Sequence, residues 1–153
     1  MIDTIDAKLA ELGLTLPRAA APVAAYVPTV EAGGMLYLSG QLPFRDGQVV
    51  TGRLGETLSL EEGQDAARLC GLMVVAQVKA ALGGFDRVRR VVKLGVFVNS
   101  TPDFTDQPKV ANGASELMAA LFGEAGRHAR AAVGVAALPL GAAVEVDAVI
   151  ELD

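Results

Sequence analysis

Arg130 and Glu145 have opposite charges, lie fifteen positions apart near the C-terminus, and are the strongest candidates for chemistry in this chain. A guanidinium binds a carboxylate through two parallel N–H groups, which a lysine cannot match. A carboxylate beside a cleft can position or deprotonate a water molecule. With both side chains on one face of a sheet, the pair predicts a site for a small anionic substrate with a general base nearby. The alternative for each residue is a charge on a solvated strand.

The segment from His128 to Asp153, which carries both residues, predicts a β-hairpin. Two apolar runs flank Leu138-Pro139-Leu140-Gly141, whose Pro and Gly are turn residues. The second run alternates, so that alternate residues from 144 to 152 are apolar while most residues between them are polar. Such a strand buries one face and leaves the other partly solvated.

The spacing of the two candidates within such a hairpin is wide. A tight turn around Pro139-Leu140 places Glu145 opposite about Gly134, four residues from Arg130. At 3.3 Å per residue, the two positions are about 13 Å apart along the sheet. They share a site if the side chains lean together, if the ladder bulges, or if a neighbouring subunit contributes one of them, and the sequence leaves all three possibilities open.

A second motif, Ser39-Gly40-Gln41-Leu42-Pro43, lies about ninety residues before the terminal segment. Together the two segments resemble the reactive intermediate deaminase (RidA/YjgF) family, also known as endoribonuclease L-PSP. The resemblance runs from about Pro22 to Leu152, and residues 1–20 form an N-terminal extension outside it. The matching residues of the terminal segment are Arg130, Val133, Val135, Leu138, Pro139 and Val144-Glu145-Val146-Asp147.

The resemblance implies a fold and an activity. The fold is α+β and chorismate-mutase-like, with a mixed β-sheet, two helices packed on one face, and a homotrimer with ligand clefts between subunits. The activity is hydrolytic deamination of reactive 2-imino or enamine acids, which releases a 2-keto acid and ammonia. Arg130 would hold the substrate carboxylate and Glu145 would position the attacking water. No cofactor is implied, because an imine carbon is already electrophilic.

Four further residues become substrate-binding candidates through the same resemblance. Tyr26 and Asn112 would line the cleft, although Tyr26 also suits an aromatic plug on the sheet edge, and extra residues after position 104 affect the Asn112 correspondence. Gly40 permits close approach of the backbone to a ligand. Ala132 stands where the family often has Cys, so no thiol chemistry is available there and only its backbone amide could bind a carboxylate.

The remaining pattern predicts the elements that must position these residues. Ser59 and Glu62 have capping-box spacing at the start of a long, largely apolar helix. Two helices on one face of the sheet would leave the other face bare, which favours oligomerisation. The predicted elements are a helix over 2–13, extended coil over 14–28, a strand over 34–40, a short strand near 48–51, a helix from 57 to about 82, a central, doubly covered strand over 88–99, and a helix over 106–122.

Composition limits the classes of function. The chain has 153 residues, which predicts a single domain over 1–153, and a formal charge of −5 without a basic cluster, which argues against nucleic acid as a partner. One His and one Cys predict neither a structural metal site nor a disulfide. Apolar runs such as 71–76 are too short for a membrane span, and the N-terminus lacks a secretory pattern, so a cytoplasmic protein is expected.

Two rivals to the deaminase remain open at this stage. One is a binding protein that holds a small carboxylate ligand in the same cleft without turnover. The other is a ribonuclease, as the older family name suggests, although the acidic charge argues against it.

Overall fold

The computed structural model describes residues 2–153 and contains, over that range, three α-helices and seven β-strands. Short 3₁₀ turns at Gly123–Gly126 and Pro139–Gly141 precede the last two strands. The elements are α1 (Ile2–Glu11), β1 (Thr29–Ala32), β2 (Met35–Gln41), β3 (Phe44–Arg45), β4 (Gln48–Val49), α2 (Leu60–Leu82), β5 (Val88–Asn99), α3 (Gln107–Phe122), β6 (Ala129–Val135) and β7 (Val144–Leu152).

The main sheet has five strands in the order β1-β2-β7-β5-β6. The β5–β6 pair is parallel and the other three pairs are antiparallel, so the sheet is mixed as predicted. β3 and β4 form a separate hairpin. Its turn residues, Asp46 and Gly47, have φ values of 52° and 78°, as a two-residue hairpin turn requires.

The prediction that the last two strands form one hairpin is wrong. The 3₁₀ turn at Pro139–Gly141 is present, but β6 and β7 do not pair, because β5 lies between them and hydrogen-bonds to both. The near-continuous apolar sequence of β5 favours an interior position with partners on both edges. Since α3 crosses back over the sheet between β5 and β6, those two strands become parallel neighbours.

Helices α2 and α3 cover one face of the sheet and form the hydrophobic core with it. The Ser59 side chain accepts from the Glu62 N–H and the Glu62 side chain accepts from the Ser59 N–H, so the predicted capping box is present. The predicted alternation of β7 is also confirmed, because every second residue from Val144 to Leu152 is buried against the helices. The two predicted helices thus lie on one face, with α1 packed beside α3.

The opposite face of the sheet has no covering layer among residues 2–153. The interior position of β5 in the sheet is as predicted. The prediction that both faces of β5 are covered is wrong for the single chain, because Lys93 is exposed and Phe97 is only partly buried. Large apolar side chains remain about half exposed on this face, including Tyr37 at 48% and Val133 at 47%. We call this surface the open face.

Two strands were missed by the sequence interpretation, namely β1 and the two-residue strand β3. β1 pairs with β2 across a turn at Gly33-Gly34, whose φ values of 58° and 77° identify a hairpin turn. β1 is short and largely exposed, so it lacks the apolar alternation that marked the other strands. In the part of the chain that the structure describes, no helix combines the length and hydropathy that crossing a membrane would require.

Candidate functional site

Glu145 lies on the open face near the start of β7, where its partner in register on β5 is Phe97. Its carboxyl group rests against the Cα atom of Gly40, since a methyl group built on that atom would lie 2.7 Å from Glu145 Cδ. The pairing of β2 with β7 shifts register between Leu38 and Gln41. This irregularity places Gly40 beside the acid, as bulges near functional sites commonly do.

The Glu145 carboxyl group lines a cleft of about 290 Å³. Tyr26 and Gly40, both predicted as substrate-binding residues, line it too, so the structure brings three of the six candidates together. The described residues of the lining include no Arg, Lys or His, so this cleft by itself offers no cation to a carboxylate. The lining comprises Ala20, Ala21, Pro22, Val23, Ala24, Tyr26, Pro28, Gly40, Gln41, Leu42, Phe44, Pro139 and Glu145. We call it the acid cleft.

A buried glutamine of α2 positions two walls of the acid cleft. The Gln77 side chain is only 3% exposed. Its Nε2 donates to the backbone oxygen of Ala20 at 2.8 Å and to Gln41 Oε1 at 3.2 Å. These bonds join the irregular segment before β1 to the end of β2. The segment that carries Tyr26 is therefore held against the sheet.

Burial raises the pKa of the Glu145 carboxyl above its ordinary value, and the charge of Asp147 raises it further. Burial also raises the pKa of Asp147, against the lowering effects of a hydrogen bond from the Gly95 backbone and of the Lys93 charge. A carboxylate with a raised pKa is a better proton acceptor than an ordinary surface acid. The electrostatics of the acid cleft therefore suit a general base.

Arg130 lies on β6 and its guanidinium contacts α3. Nη1 donates to Asn112 Oδ1 at 2.9 Å and to Ser115 Oγ at 3.1 Å, while Nη2 donates to the backbone oxygen of Pro108 at 3.2 Å. Asn112 and Ser115 are three residues apart on the helix and so present their side chains on the same side. We call Arg130, Asn112, Ser115 and His128 the arginine cluster.

The interpretation that the Arg130 and Glu145 side chains share one sheet face is wrong. Arg130 pairs in register with Leu94, which is fully buried under the helices, whereas Glu145 points to the open face. The acid cleft and the arginine cluster are therefore separate within one chain. Within one chain, leaning side chains would have to cross the sheet, and a bulge would have to act across the intervening strand β5. A contribution from a neighbouring subunit, the third possibility, requires neither.

Ala132 lies two residues after Arg130 on β6, so its side chain lies on the same face of the sheet. It pairs with Val96, and its side chain packs partly buried against the core. The Ala132 methyl group therefore fills space between sheet and helix. Its predicted role, a backbone amide that binds a carboxylate, stays a prediction.

Sequence reasoning did not single out two members of the arginine cluster. His128 Nε2 lies 2.8 Å from Ser115 Oγ, and His128 Nδ1 lies 2.7 Å from the backbone oxygen of Gly126. The signals were present: His128 is the only histidine in the chain, two positions before Arg130, and Ser115 has helical spacing from Asn112. What was missing was the approach of α3 to β6, which no local pattern shows.

The family model for YjgF/chorismate mutase-like proteins, which also carries the name endoribonuclease, matches residues 6–152. The match begins within the segment that the sequence motifs had left outside the resemblance. The chain is 60% identical over 151 residues to the protein TCP17 of Trypanosoma cruzi, covering 97% of this chain and 94% of that one. It is 28% identical over 142 residues to a 2-iminobutanoate/2-iminopropanoate deaminase of Dermatophagoides farinae, covering 92% and 95%.

Solved structures share the fold. The Agrobacterium tumefaciens protein Atu1372 has a TM-score of 0.93 and 51% sequence identity, with 99% of this chain and 94% of that chain covered. The Escherichia coli protein TdcF, whose crystal structure contains bound serine, has a TM-score of 0.64 and 27% identity, with 88% and 93% covered. The α+β architecture with a mixed sheet is therefore shared with proteins of this family.

Replacing Glu145 by Gln should stabilise the folded protein at pH 7. A carboxyl whose folded pKa is raised makes the protein lose stability as the pH rises through that pKa, and Gln removes this cost. The gain in Tm should shrink as the pH falls and vanish below the ordinary value of 4.5. Thermal unfolding across this pH range measures it, with the exposed Glu116→Gln as control. An equal gain at every pH would contradict the assignment.

Replacing Gly40 by Ala should displace the Glu145 carboxyl group. The three atoms nearest to the new methyl group would all belong to the Glu145 side chain, so we expect a cost of about 1–3 kcal/mol in the free energy of unfolding. In a Glu145→Ala background the same change should cost much less. Denaturant unfolding of the two single variants and the double variant gives the coupling. Equal costs in both backgrounds would show that Gly40 does not accommodate the acid.

Proposed function

The chain belongs to the YjgF/chorismate mutase-like family, and from this premise we propose that it hydrolyses reactive 2-imino acids or their enamine tautomers to 2-keto acids and ammonia. The relative named 2-iminobutanoate/2-iminopropanoate deaminase supports the reaction class. The observation that carries the proposal is the division of the candidate residues. Among residues 2–153, the acid cleft holds a carboxyl with a raised pKa and no cation, and the Arg130 guanidinium of the arginine cluster makes its hydrogen bonds to neutral oxygens.

We infer that a homotrimer completes the site. The open face exposes apolar side chains that a monomer rarely leaves in water, among them Val30, Tyr37 and Val133. Covering this face with further copies would bring the edge strand β6 of one subunit towards the acid cleft of the next. In that arrangement Arg130 and Asn112 come from one subunit, and Glu145, Tyr26 and Gly40 from its neighbour.

Arg130 has the capacity to bind the substrate carboxylate while it keeps its present partners. A guanidinium has five N–H groups, and the contacts of Arg130 with the described residues use two on Nη1 and one on Nη2. Five minus three leaves two, one on Nε and one on Nη2. Two N–H groups of one guanidinium are what a bidentate carboxylate contact requires. Asn112 Oδ1 accepts from Arg130 Nη1, so the role of Asn112 would be to orient the guanidinium.

Glu145 would act on water. Its carboxylate accepts a proton from the water that attacks the imine carbon, and the resulting carbinolamine loses ammonia as the C=O bond forms. The balance is one imine plus one water giving one ketone and one ammonia, with no oxidant and no cofactor. The proton that Glu145 takes from water passes to the imine nitrogen and completes the carbinolamine. Glu145 then accepts the hydroxyl proton of the carbinolamine and delivers it to the departing amine, so that ammonia leaves. The raised pKa favours both transfers, because it lies closer to neutral pH than that of an ordinary glutamate.

The other residues of the acid cleft would orient the substrate. Tyr26 offers a ring and a hydroxyl, and Gly40 keeps the space beside Glu145 free of a side chain. The mostly apolar lining, which includes Val23, Leu42 and Phe44, suits an aliphatic or aromatic substrate side chain. Ala132 stays a candidate for a backbone contact to the carboxylate.

A second candidate function is binding without turnover. The structure of TdcF with bound serine favours it, because serine has the carboxylate but no imine to hydrolyse. The same Arg130 contact would hold such a ligand. Turnover of an imino acid separates the two functions, since a binding protein shows affinity for the carboxylate and no release of ammonia beyond the spontaneous rate.

Turnover should depend on Arg130 and Glu145 in different ways. With a 2-imino acid generated by an amino-acid oxidase, Arg130→Lys should lower kcat/KM about ten- to a hundredfold, because the two-pronged contact is lost. Glu145→Gln should lower kcat and leave the calorimetric affinity for a 2-keto acid nearly unchanged. Arg130→Ala with wild-type affinity would exclude the carboxylate contact. Affinity without ammonia release in the wild type would select the binding function, and RNA cleavage sensitive to Glu145→Gln would select the nuclease.

Mixed trimers test whether the site spans two subunits. Arg130→Ala and Glu145→Gln subunits, each inactive alone, should regain activity when they are co-expressed with different affinity tags and purified through both. If each site takes one residue from each of two subunits, every cyclic trimer that contains both variants has both residues intact at one of its three interfaces, so about a third of the sites in the purified mixture should be active. Mixed assemblies confirmed by native mass spectrometry that show no recovery would refute the interfacial site.

A further inference from the structure

Three polar groups connect Arg130 to a rigid part of the backbone. Arg130 Nη1 donates to Ser115 Oγ at 3.1 Å, Ser115 Oγ lies 2.8 Å from His128 Nε2, and His128 Nδ1 lies 2.7 Å from the backbone oxygen of Gly126. Ser115 lies on α3, His128 immediately before β6, and Gly126 in the 3₁₀ turn between them. The chain of contacts therefore joins the three elements that surround the guanidinium.

The hydrogen-bonding capacity of each group determines which atom donates and which accepts in these three hydrogen bonds. A backbone oxygen can only accept, so Nδ1 of His128 must carry the hydrogen that it shares with Gly126. In the neutral ring Nε2 is then an acceptor, and the Ser115 hydroxyl donates to it. The Ser115 oxygen in turn accepts from Arg130. Each donor of the chain has one acceptor, and the orientation of the Ser115 hydroxyl is determined.

Gly126, the last member of this series of hydrogen bonds, is held firmly. A methyl group built on the Gly126 Cα would lie 2.7 Å from the carbonyl carbon of Met118 and 3.1 Å from the Ala119 nitrogen, so this glycine is in close contact with the backbone of α3. Backbone atoms cannot move aside as a flexible side chain can. The carbonyl group that accepts from His128 therefore has little freedom.

We propose that Ser115 and His128 are positioning residues that hold the Arg130 guanidinium for the substrate carboxylate. The proposal rests on the carboxylate contact of the proposed function and assigns these two residues a role in it. A free arginine side chain samples many rotamers, and ordering it on binding costs affinity. Asn112 and the Pro108 carbonyl bind the guanidinium directly, while Ser115 and His128 add a support that is anchored outside the helix.

The surroundings contain charges that an experiment must take into account. Arg127 adjoins His128 and lies beside the same shallow surface as Arg130. Arg127 has a long ion pair with Glu124 of the 3₁₀ turn, 3.8 Å, and its backbone oxygen accepts from Arg90 Nη2 of β5 at 3.2 Å. Since these groups carry their charge independently of Ser115, the tests below change hydrogen bonding and leave the charges in place.

Ser115→Ala should weaken the binding of a charged ligand. We expect the calorimetric Kd for a 2-keto acid and the KM for the 2-imino acid to rise about five- to twentyfold, with kcat changed less than about twofold. Ser115→Thr keeps the hydroxyl and should stay within about twofold of the wild type on both. His128→Phe, which removes both ring nitrogens, should behave like Ser115→Ala. Glu116→Ala, an exposed change at the neighbouring position of α3, is the control and should alter neither constant.

The uncharged amide of the same 2-keto acid separates positioning from general damage to the site. It fits the cleft but presents no carboxylate to Arg130. Ser115→Ala should leave its Kd unchanged, whereas a distorted site would weaken both ligands alike. Equal loss for the acid and the amide would overturn the proposal.

The histidine itself gives a direct readout, because the chain contains no other. A long-range ¹H–¹⁵N spectrum at about pH 8.5, where histidine is ordinarily neutral, should show the Nδ1–H tautomer in the wild type and in Ser115→Ala, because the Gly126 carbonyl accepts from Nδ1 in both. The Nε2 resonance should shift in Ser115→Ala, because Nε2 loses the hydrogen bond from the Ser115 hydroxyl. A wild-type ring protonated on Nε2 would overturn the proposal.

Two failures are distinguishable. If Arg130→Ala keeps wild-type affinity for the 2-keto acid, the carboxylate contact of the proposed function is wrong. If Arg130→Ala loses affinity while Ser115→Ala and His128→Phe retain it, the contact stands and only the positioning role is overturned.

Discussion

The double pairing of β5 is the constraint on which the rest of the structure depends. This strand hydrogen-bonds in parallel to β6 along one edge and antiparallel to β7 along the other. It therefore separates two strands that follow each other in the chain, and it fixes their registers independently. Leu94 pairs with Arg130 on one edge and with Ala148 on the other, while Phe97 pairs with Val133 and Glu145. Because side chains alternate across a sheet, this register assigns Arg130 to the helix face and Glu145 to the open face.

The two faces of the sheet create different environments for the two charges. Under the helices, Arg130 is surrounded by neutral oxygen acceptors of α3, and its charge is met by dipoles. On the open face, burial of the Glu145 carboxyl beside Gly40 disfavours its ionisation and raises its pKa, and the Asp147 charge raises it further. A group that is costly to ionise and a cation with unused donors are each unsatisfied within one chain. In the proposed trimer, a substrate carboxylate that takes the unused Arg130 donors would lie beside Glu145, which links the proposed assembly to the proposed chemistry.

The sequence by itself determined most of the elements and the composition of the site. The capping residues Ser59 and Glu62 and the alternation after Val144 are local signals, because each depends on atoms a few residues apart. The two motifs around Gly40 and Glu145 identified the family and, with it, three of the residues that line the acid cleft. The structure brings Tyr26, Gly40 and Glu145 to one cleft and joins Asn112 to Arg130.

Only the tertiary structure decided which residues meet. The sequence of a turn such as that at Pro139–Gly141 is the same whether the flanking strands pair with each other or with a third strand. Which strands pair depends on the core that β5 and the two helices bury together. The partnership of Ser115 and His128 depends in the same way on the approach of α3 to β6. Periodicity specifies the face that an element buries, but contacts between elements distant in sequence are set by how those faces pack, and no single segment contains that information.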